Sequence, residues 1–401
     1  MKLGELIEIK HGYAFSGEHI VEDDNGIVLV TPGNFRIGGG FKEEKCKFFD
    51  GEIPADYVLK EGDFIVTMTD LSKTIDTLGY SALVPKSKRT YLHNQRIGLV
   101  TFKSDECDRG YIYWLMRTRE YQRSIANTST GATVHHTSPK KIYDYDLEVP
   151  PLPIQHRIAT ILSRYDSLIE NYQKQIKLLE EAAQRLYKEW FVDLHFPGHE
   201  NTKIVDGVPE GWEKKSIGEI GTVITGKTPS KSNKENYGGS IPFITIPDMH
   251  TGIYPVSSVF LSEKGAESQS KKYIPQGALI VSCIGTAGLV CITKERCQTN
   301  QQINSLILDD KEMLHYMYFV FLSLKEHLNN IGSNGATMTN VNKSKFEGID
   351  IVVPSSCIIR DFSQRTTPYF ENIKSLQSQL RLLTEARDRL LPKLMNGEIA
   401  V

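Results

Sequence analysis

Cysteine is scarce and unpatterned in this chain, with six among 401 residues, at positions 46, 107, 283, 291, 297 and 357, and no C-x-x-C pair. That spacing excludes a zinc ribbon and a disulfide-stapled secreted scaffold, so reduced thiols are expected. Long apolar runs are missing too. No stretch reaches the ~18–20 apolar residues that span a bilayer. The start, MKLGELIEIKHGYAF, lacks a signal peptide's apolar segment and cleavage site. A cytoplasmic location and no membrane contact are the expectation. Neither sign of charge prevails, since 47 Lys and Arg face 49 Asp and Glu for a net −2. A nucleic-acid partner would have to be met by local positive charge or with help from other subunits.

Strings that carry chemistry are absent as well. There is no H-E-x-x-H, no G-x-S-x-G, no G-x-G-x-x-G opening a helix, and no Asn/Asp-Pro-Pro-aromatic string of an adenine methyltransferase. One segment, Gly221 to Thr228, does satisfy the phosphate-loop pattern G-x-x-x-x-G-K-[ST]. Its four interior residues are all β-branched and Pro229 to Asn233 reads as a loop, so a strand is expected where a nucleotide site needs a loop and a helix N-terminus. Adjacent His135 and His136 lack a third ligand and read as recognition residues, with no metal.

What the chain does contain is a repeat. Gly131-Ala132-Thr133-Val134 returns 204 positions later as Gly335-Ala336-Thr337-Met338, and Asp146 to Pro150 returns as Asp350 to Pro354. With small insertions, Asn94-Gln95-Arg96-Ile97 matches Asn300-Gln301-Gln302-Ile303. Likewise Gly62 to Val66 matches Gly277 to Val281, and Leu3 to Leu6 matches Ile217 to Ile220. Two copies of one unit explain these collinear matches. Each begins with ~150 residues of short β-like runs broken by Gly, Pro, Asn and Asp, with a helical pattern near Tyr111 to Ala126 and near Met313 to Leu328. Each ends in a long helical pattern with apolar residues at steps of three and four.

The first such seam runs Ile158, Ile161, Tyr165, Leu168, Tyr172, Ile176, Leu179, Ala183, Leu186, Trp190. The second runs from Phe362 to Leu394, with Thr366 and Arg387 as polar intrusions. Pro153 suits a first turn. Pro368 predicts a kink or a start capped by Thr367, Pro392 a disturbed last turn, and Gly397 a stop. Four or five heptads make a helix of roughly 55 Å, longer than a small domain can cover. The two helices are therefore expected to pack on each other. The fold class is α+β, with two pseudo-symmetric α+β domains joined by two long helices packed as an antiparallel coiled coil. The expected boundaries are 1–152 and 216–356 for the domains, 153–195 and 357–401 for the helices, and 196–215 for a linker.

Polar, aromatic and basic loops recur at matching places. In copy one the candidates for DNA contact are Asn34, Arg36, Thr69, Ser72, Lys73, Thr133, His135, His136 and Lys140. In copy two they are Lys227, Thr228, Lys231, His250, Thr286, Asn334, Thr339, Asn340 and Lys343. Arg reads guanine bidentately, Asn and Gln read adenine, and Lys, Ser and Thr fasten phosphates.

The helix endings Glu181-Ala182-Ala183-Gln184-Arg185-Leu186 and Glu385-Ala386-Arg387-Asp388-Arg389-Leu390 carry a resemblance to a known family. So do Asp193 to Glu200, Pro209-Glu210-Gly211-Trp212-Glu213 and Leu394 to Ile399. Over its whole length the chain resembles the specificity subunit of a type I restriction–modification system. The resemblance implies two target-recognition domains, each reading half of a split, asymmetric double-stranded DNA target. It implies a helix pair that serves as a ruler and as a dock for two methyltransferase subunits, which hold S-adenosylmethionine. Restriction and translocation subunits using ATP and Mg would join them. This chain would then be non-catalytic and bind no cofactor itself. Copy one departs from the pattern by lacking the Pro-x-Gly-Trp opening of copy two, so a shortened start is expected. The rival is a non-catalytic coiled-coil scaffold for protein partners, which gives no reason for the duplicated polar loops.

Overall fold

A computed structural model of the chain describes residues 1–44, 46–103, 106–333 and 339–401. The chain forms two compact units, residues 1–169 with 383–401, and residues 170–382.

The first unit is built on a four-stranded antiparallel sheet in the order Ile7–His11, Ile97–Phe102, Phe64–Thr67, Ser81–Leu83. A second sheet sets Ile27–Val30 parallel to Thr90–His93, pairing Val30 with His93. Helices Arg109–Leu115 and Arg119–Asn127 follow, then the short helix Pro139–Tyr143. Phe64, Val66, Tyr111, Trp114, Ile158, Leu162, Leu391 and Leu394 share one buried apolar cluster. Both long helices thus contribute to this core.

The second unit repeats that plan. Its four-stranded sheet has the order Gly221–Thr225, Ile303–Leu308, Leu279–Ser282, Val290–Ile292. Tyr237–Ile244 lies parallel to Gln298–Thr299, and helices Leu314–Ser323, Lys325–Ser333 and Lys343–Glu347 come in the same order. The duplication read from short strings is therefore a duplication of topology. Gly62 and Gly277 even share φ +77, a left-handed turn before the equivalent strands that a side chain would strain.

The long helices are Leu152–Tyr187, extended by a π turn at Lys188–Val192, and Ser356–Met395. They are not domains of their own, because each gives one part to each unit. Inside each unit the two segments run antiparallel. In the first, Asp166 meets Arg387 while Ile158 and Leu162 join Leu391 and Leu394. In the second, the rings of Trp190 and Phe362 lie 5.8 Å apart, and Glu180 lies near Tyr318, which packs 5.5 Å from Phe370.

Four expectations need correction. Over its first turns the seam of the first helix is displaced by one residue. Leu162, Ile169, Ile176, Ala183 and Trp190 are buried at seven-residue steps, while Leu168 is exposed. The displacement arises because Asp166, a polar residue, is the one that turns inward. Pro368 neither kinks nor starts the second helix, which runs through it. Its exposed ring leaves only the Gln364 carbonyl without its helical donor, and Phe362 and Phe370 on either side are buried. Pro392 likewise leaves the last turn intact, since the helix runs on to Met395 and Asn396 N–H donates to the Pro392 carbonyl at 3.0 Å. The expected linker belongs to the second unit. Phe196 is buried against Trp212 at 5.0 Å, and Glu213–Ser216 pairs with Asp350–Val353.

Candidate nucleic-acid interface

In the first unit, backbone hydrogen bonds draw four segments to one end of the four-stranded sheet. Met68 N–H donates to the Arg96 carbonyl at 3.0 Å, and Thr137 N–H donates to the Met68 carbonyl. His135 and His136 pair with Asp70 and Thr69. Tyr13 N–H donates to the His93 carbonyl at 2.8 Å. Gly12 is required there, because a Cβ would lie 2.2 Å from the Asn94 carbonyl oxygen.

The loop after Asp70 is held from within. The buried Asp70 carboxylate accepts from Ser72 N–H, Thr77 N–H and the Thr77 hydroxyl, each at 2.6 Å. Burial pushes the Asp70 pKa up, but the hydrogen bonds from Thr77 and Ser72 outweigh it and hold the group below its ordinary value. Ile75 sits at φ +51 with its carbonyl accepting from the Gln122 amide at 2.6 Å.

The second unit builds the same frame. Cys283 N–H donates to the Gln302 carbonyl at 2.8 Å and Val341 N–H to the Cys283 carbonyl at 2.9 Å. Ile284 bridges Asn340, and Lys227 N–H donates to the Thr299 carbonyl at 2.9 Å. A Cβ on Gly226 would lie 2.2 Å from the Asn300 carbonyl oxygen, as at Gly12.

This frame gathers most of the sequence candidates. Thr69, Ser72, Lys73, Thr133, His135 and His136 lie on its segments in the first unit. Lys227, Thr228, Thr286, Thr339 and Asn340 lie on those of the second. Exposed Lys140 and Lys343 stand in the first turns of the short helices that follow, with Lys343 3.3 Å from Glu347. Lys231 is exposed in the loop after Thr228. Exposed Arg36 and His250 occupy matching places at the ends of the two parallel strand pairs. Asn334 lies outside the described residues, as does the string from Gly335 to Met338.

Some candidates are structural. Asn34 is 1% exposed and reads no base. Its side-chain oxygen accepts from Thr31 N–H at 2.9 Å and from the Thr31 hydroxyl, as Asp248 does for Thr245 at 2.8 Å. Thr69 is buried, with its hydroxyl 3.2 Å from His136 Nδ1, so it supports the histidine. Ser72 donates to Asp76 at 2.9 Å, and Thr228 to Gln301 at 2.6 Å.

Exposed residues beyond these candidates share the gathered ends. Exposed Gln95 and Arg96 in the first unit and exposed Gln301 in the second occupy the equivalent turn beside each unit's own frame. Their signal lay in the repeated Asn-Gln-Arg-Ile and Asn-Gln-Gln-Ile strings, which mark the duplication and also hold exposed polar side chains at the gathered end.

The phosphate-loop string is a strand, Gly221–Thr225, paired with Ile303–Leu308, and no helix opens after Lys227. Among the described residues no group of three or more His, Cys, Asp or Glu is placed to hold a metal, and no helix is long and apolar enough to cross a membrane. All six cysteines are unpaired, and burial pushes the Cys283 thiol up to about 12.

Comparison with known proteins agrees with this geometry. The sequence profile of the type I restriction modification DNA specificity domain matches residues 1–181 and 209–364, one copy on each half. The chain is 35% identical to the type I restriction enzyme HindI specificity subunit of Haemophilus influenzae, over 70% of this chain and 75% of that one. It is 29% identical to the MjaIX specificity subunit of Methanocaldococcus jannaschii, covering 73% and 69%. A crystal structure of a type I restriction–modification S subunit from M. genitalium superposes with a TM-score of 0.64 at 16% identity, covering 98% of this chain and 95% of that one.

Proposed function

The chain belongs to the type I restriction modification DNA specificity family, and on that premise we propose that each unit reads one half of a split, asymmetric double-stranded DNA sequence. The observation that carries this reading is the frame built twice. The backbone hydrogen bonds agree between units while the side chains on them differ, as exposed Arg96 differs from half-buried Gln302 and exposed His136 from exposed Asn340. A scaffold copied with altered contact residues suits a target whose halves differ.

In this reading the chain performs no chemistry and holds no cofactor. Two methyltransferase subunits bring S-adenosylmethionine and modify adenine, and restriction subunits bring ATP-driven translocation with Mg, all in the cytoplasm. The exposed Arg and Lys at the gathered ends supply local positive charge in a chain of net −2, and the partner subunits hold the rest of the DNA. Profiling methylated adenines in cells with and without this gene tests the assignment. Methylation should vanish from one split sequence and persist elsewhere. An unchanged profile would refute it.

A further inference from the structure

The two gathered ends share a frame but differ in polarity. Among the described residues of the first unit, the most exposed large apolar side chains are Ile37, 70% exposed, and Leu71, 58%. Both stand at this end. Leu71 follows Met68 on the loop tied to Arg96. Ile37 lies in the turn whose Gly40 N–H donates to the carbonyl of Ser81, where that loop re-enters the sheet, at 2.8 Å. Three residues after Cys283, which takes the place of Met68, the second unit has Thr286. Three residues after Asp248, which takes the place of Asn34, it has Thr251. Tyr13, 43% exposed, is matched by Lys227 through the same backbone bond. At these matched tips the first unit is apolar and the second polar, although Val256, 41% exposed, adjoins Thr251 in the second.

Leu71 is held out rather than left loose. The Asp70 carboxylate just before it accepts from Ser72 and Thr77 beyond it, Ser72 and Thr74 donate to Asp76, and Gln122 anchors Ile75. An apolar side chain presented to water on an ordered loop gains when a partner covers it. On the floor of the major groove the apolar group available is the 5-methyl of thymine, set among donors and acceptors. Leu71 and Ile37 stand likewise beside Ser72, Lys73 and Arg36.

We infer that Leu71 and Ile37 contact thymine 5-methyl groups in the half-site read by the first unit, and so help set its sequence. This rests on the DNA-reading role proposed above. The test uses the full chain in complex with its methyltransferase subunits. Once the target is known, deoxyuridine, which lacks the methyl, replaces thymidine in one half-site at a time, and equilibrium binding is measured. In one half only, affinity should fall about fourfold for each contacted methyl. In Leu71→Thr or Ile37→Thr that response should shrink or vanish while the other half behaves as in wild type. Both side chains are exposed, so both variants should keep the wild-type melting curve, and either one suffices.

Indifference of both halves to deoxyuridine would overturn the inference, as would a full response retained in both variants. Variants that bind thymidine and deoxyuridine targets equally weakly and no longer bend the DNA would show insertion between base pairs, which also overturns methyl reading. If the wild-type complex prefers no split sequence at all, the DNA-reading role itself fails, a result distinct from each of these.

Discussion

Thr366 interrupts an apolar seam, and its partner is a histidine with no proton to spare. The buried Thr366 hydroxyl donates to the Phe362 carbonyl at 2.8 Å, so at 2.9 Å it accepts from Nδ1–H of His315. That ring stacks on Phe370 at 4.0 Å. Burial lowers the His315 pKa to about 4. The unfolded chain therefore binds the proton at higher pH than the folded one. Stability from the neutral ring is complete above about pH 6.5 and lost progressively as pH falls toward 4, amounting to about 3 kcal/mol. Urea unfolding of the wild type and of His315→Gln should show a difference that narrows between pH 7 and pH 4.5. A constant difference would remove His315 from the acid sensitivity. Outside the core, Lys140 and Lys343 are exposed at helix starts. Lys140→Ala or Lys343→Ala should weaken DNA binding about equally for all sequences and reduce the salt slope by about 1. A change confined to one sequence would reassign that lysine from phosphate to base.

The long helices show how far periodicity reads. Their existence follows from apolar steps of three and four and their antiparallel pairing from the twofold relation of the copies, but the inward face of the first helix was read one residue early through Leu168. Asp166 decides that face. Within the first unit it accepts from Arg387 at 2.6 Å and from Arg117, whose guanidinium lies 4.2 Å from the Trp114 ring. The arginine that looked like an intrusion in one helix thus answers an aspartate in the other. Asp166→Ala would leave the inward guanidinium of Arg117 without its carboxylate and that of Arg387 with Asp388 alone. Because Asp166 is about one-fifth exposed, the loss should lie toward the lower end of ~3–5 kcal/mol. A double-mutant cycle of Asp166→Ala with Arg387→Leu should return a coupling above 1 kcal/mol, whereas additive losses would show that the pair contributes nothing.

Across the whole chain, duplication is the organising fact. Both units repeat the order of the four-stranded sheet and the parallel strand pair, while the loops at their gathered ends carry unlike side chains. Exchanging residues 1–150 for those of another family member should therefore alter one half of the methylated sequence and leave the other intact, as methylation profiling would show. Alteration of both halves would mean that the units do not read independently.

Short strings sufficed for the duplication, the fold class and the places of most segments gathered at the sheet ends, because turns, strand ends and heptads leave local signatures. Which side chains in those segments face outward was not local information. Asn34 and Thr69 look like readers by residue type, yet a threonine backbone and a histidine ring claim them. Gln95 and Arg96 look like repeat landmarks, yet their turn abuts the loop at Met68. The amino-acid order alone determined that there are two copies and where their long helices and several of their strands lie, since periodicity and turn chemistry act over a few residues. Tertiary structure alone decided which polar groups are spent within the protein and which are left exposed at the gathered ends, because hydrogen bonds such as Asn34 to Thr31 form only once the chain has folded.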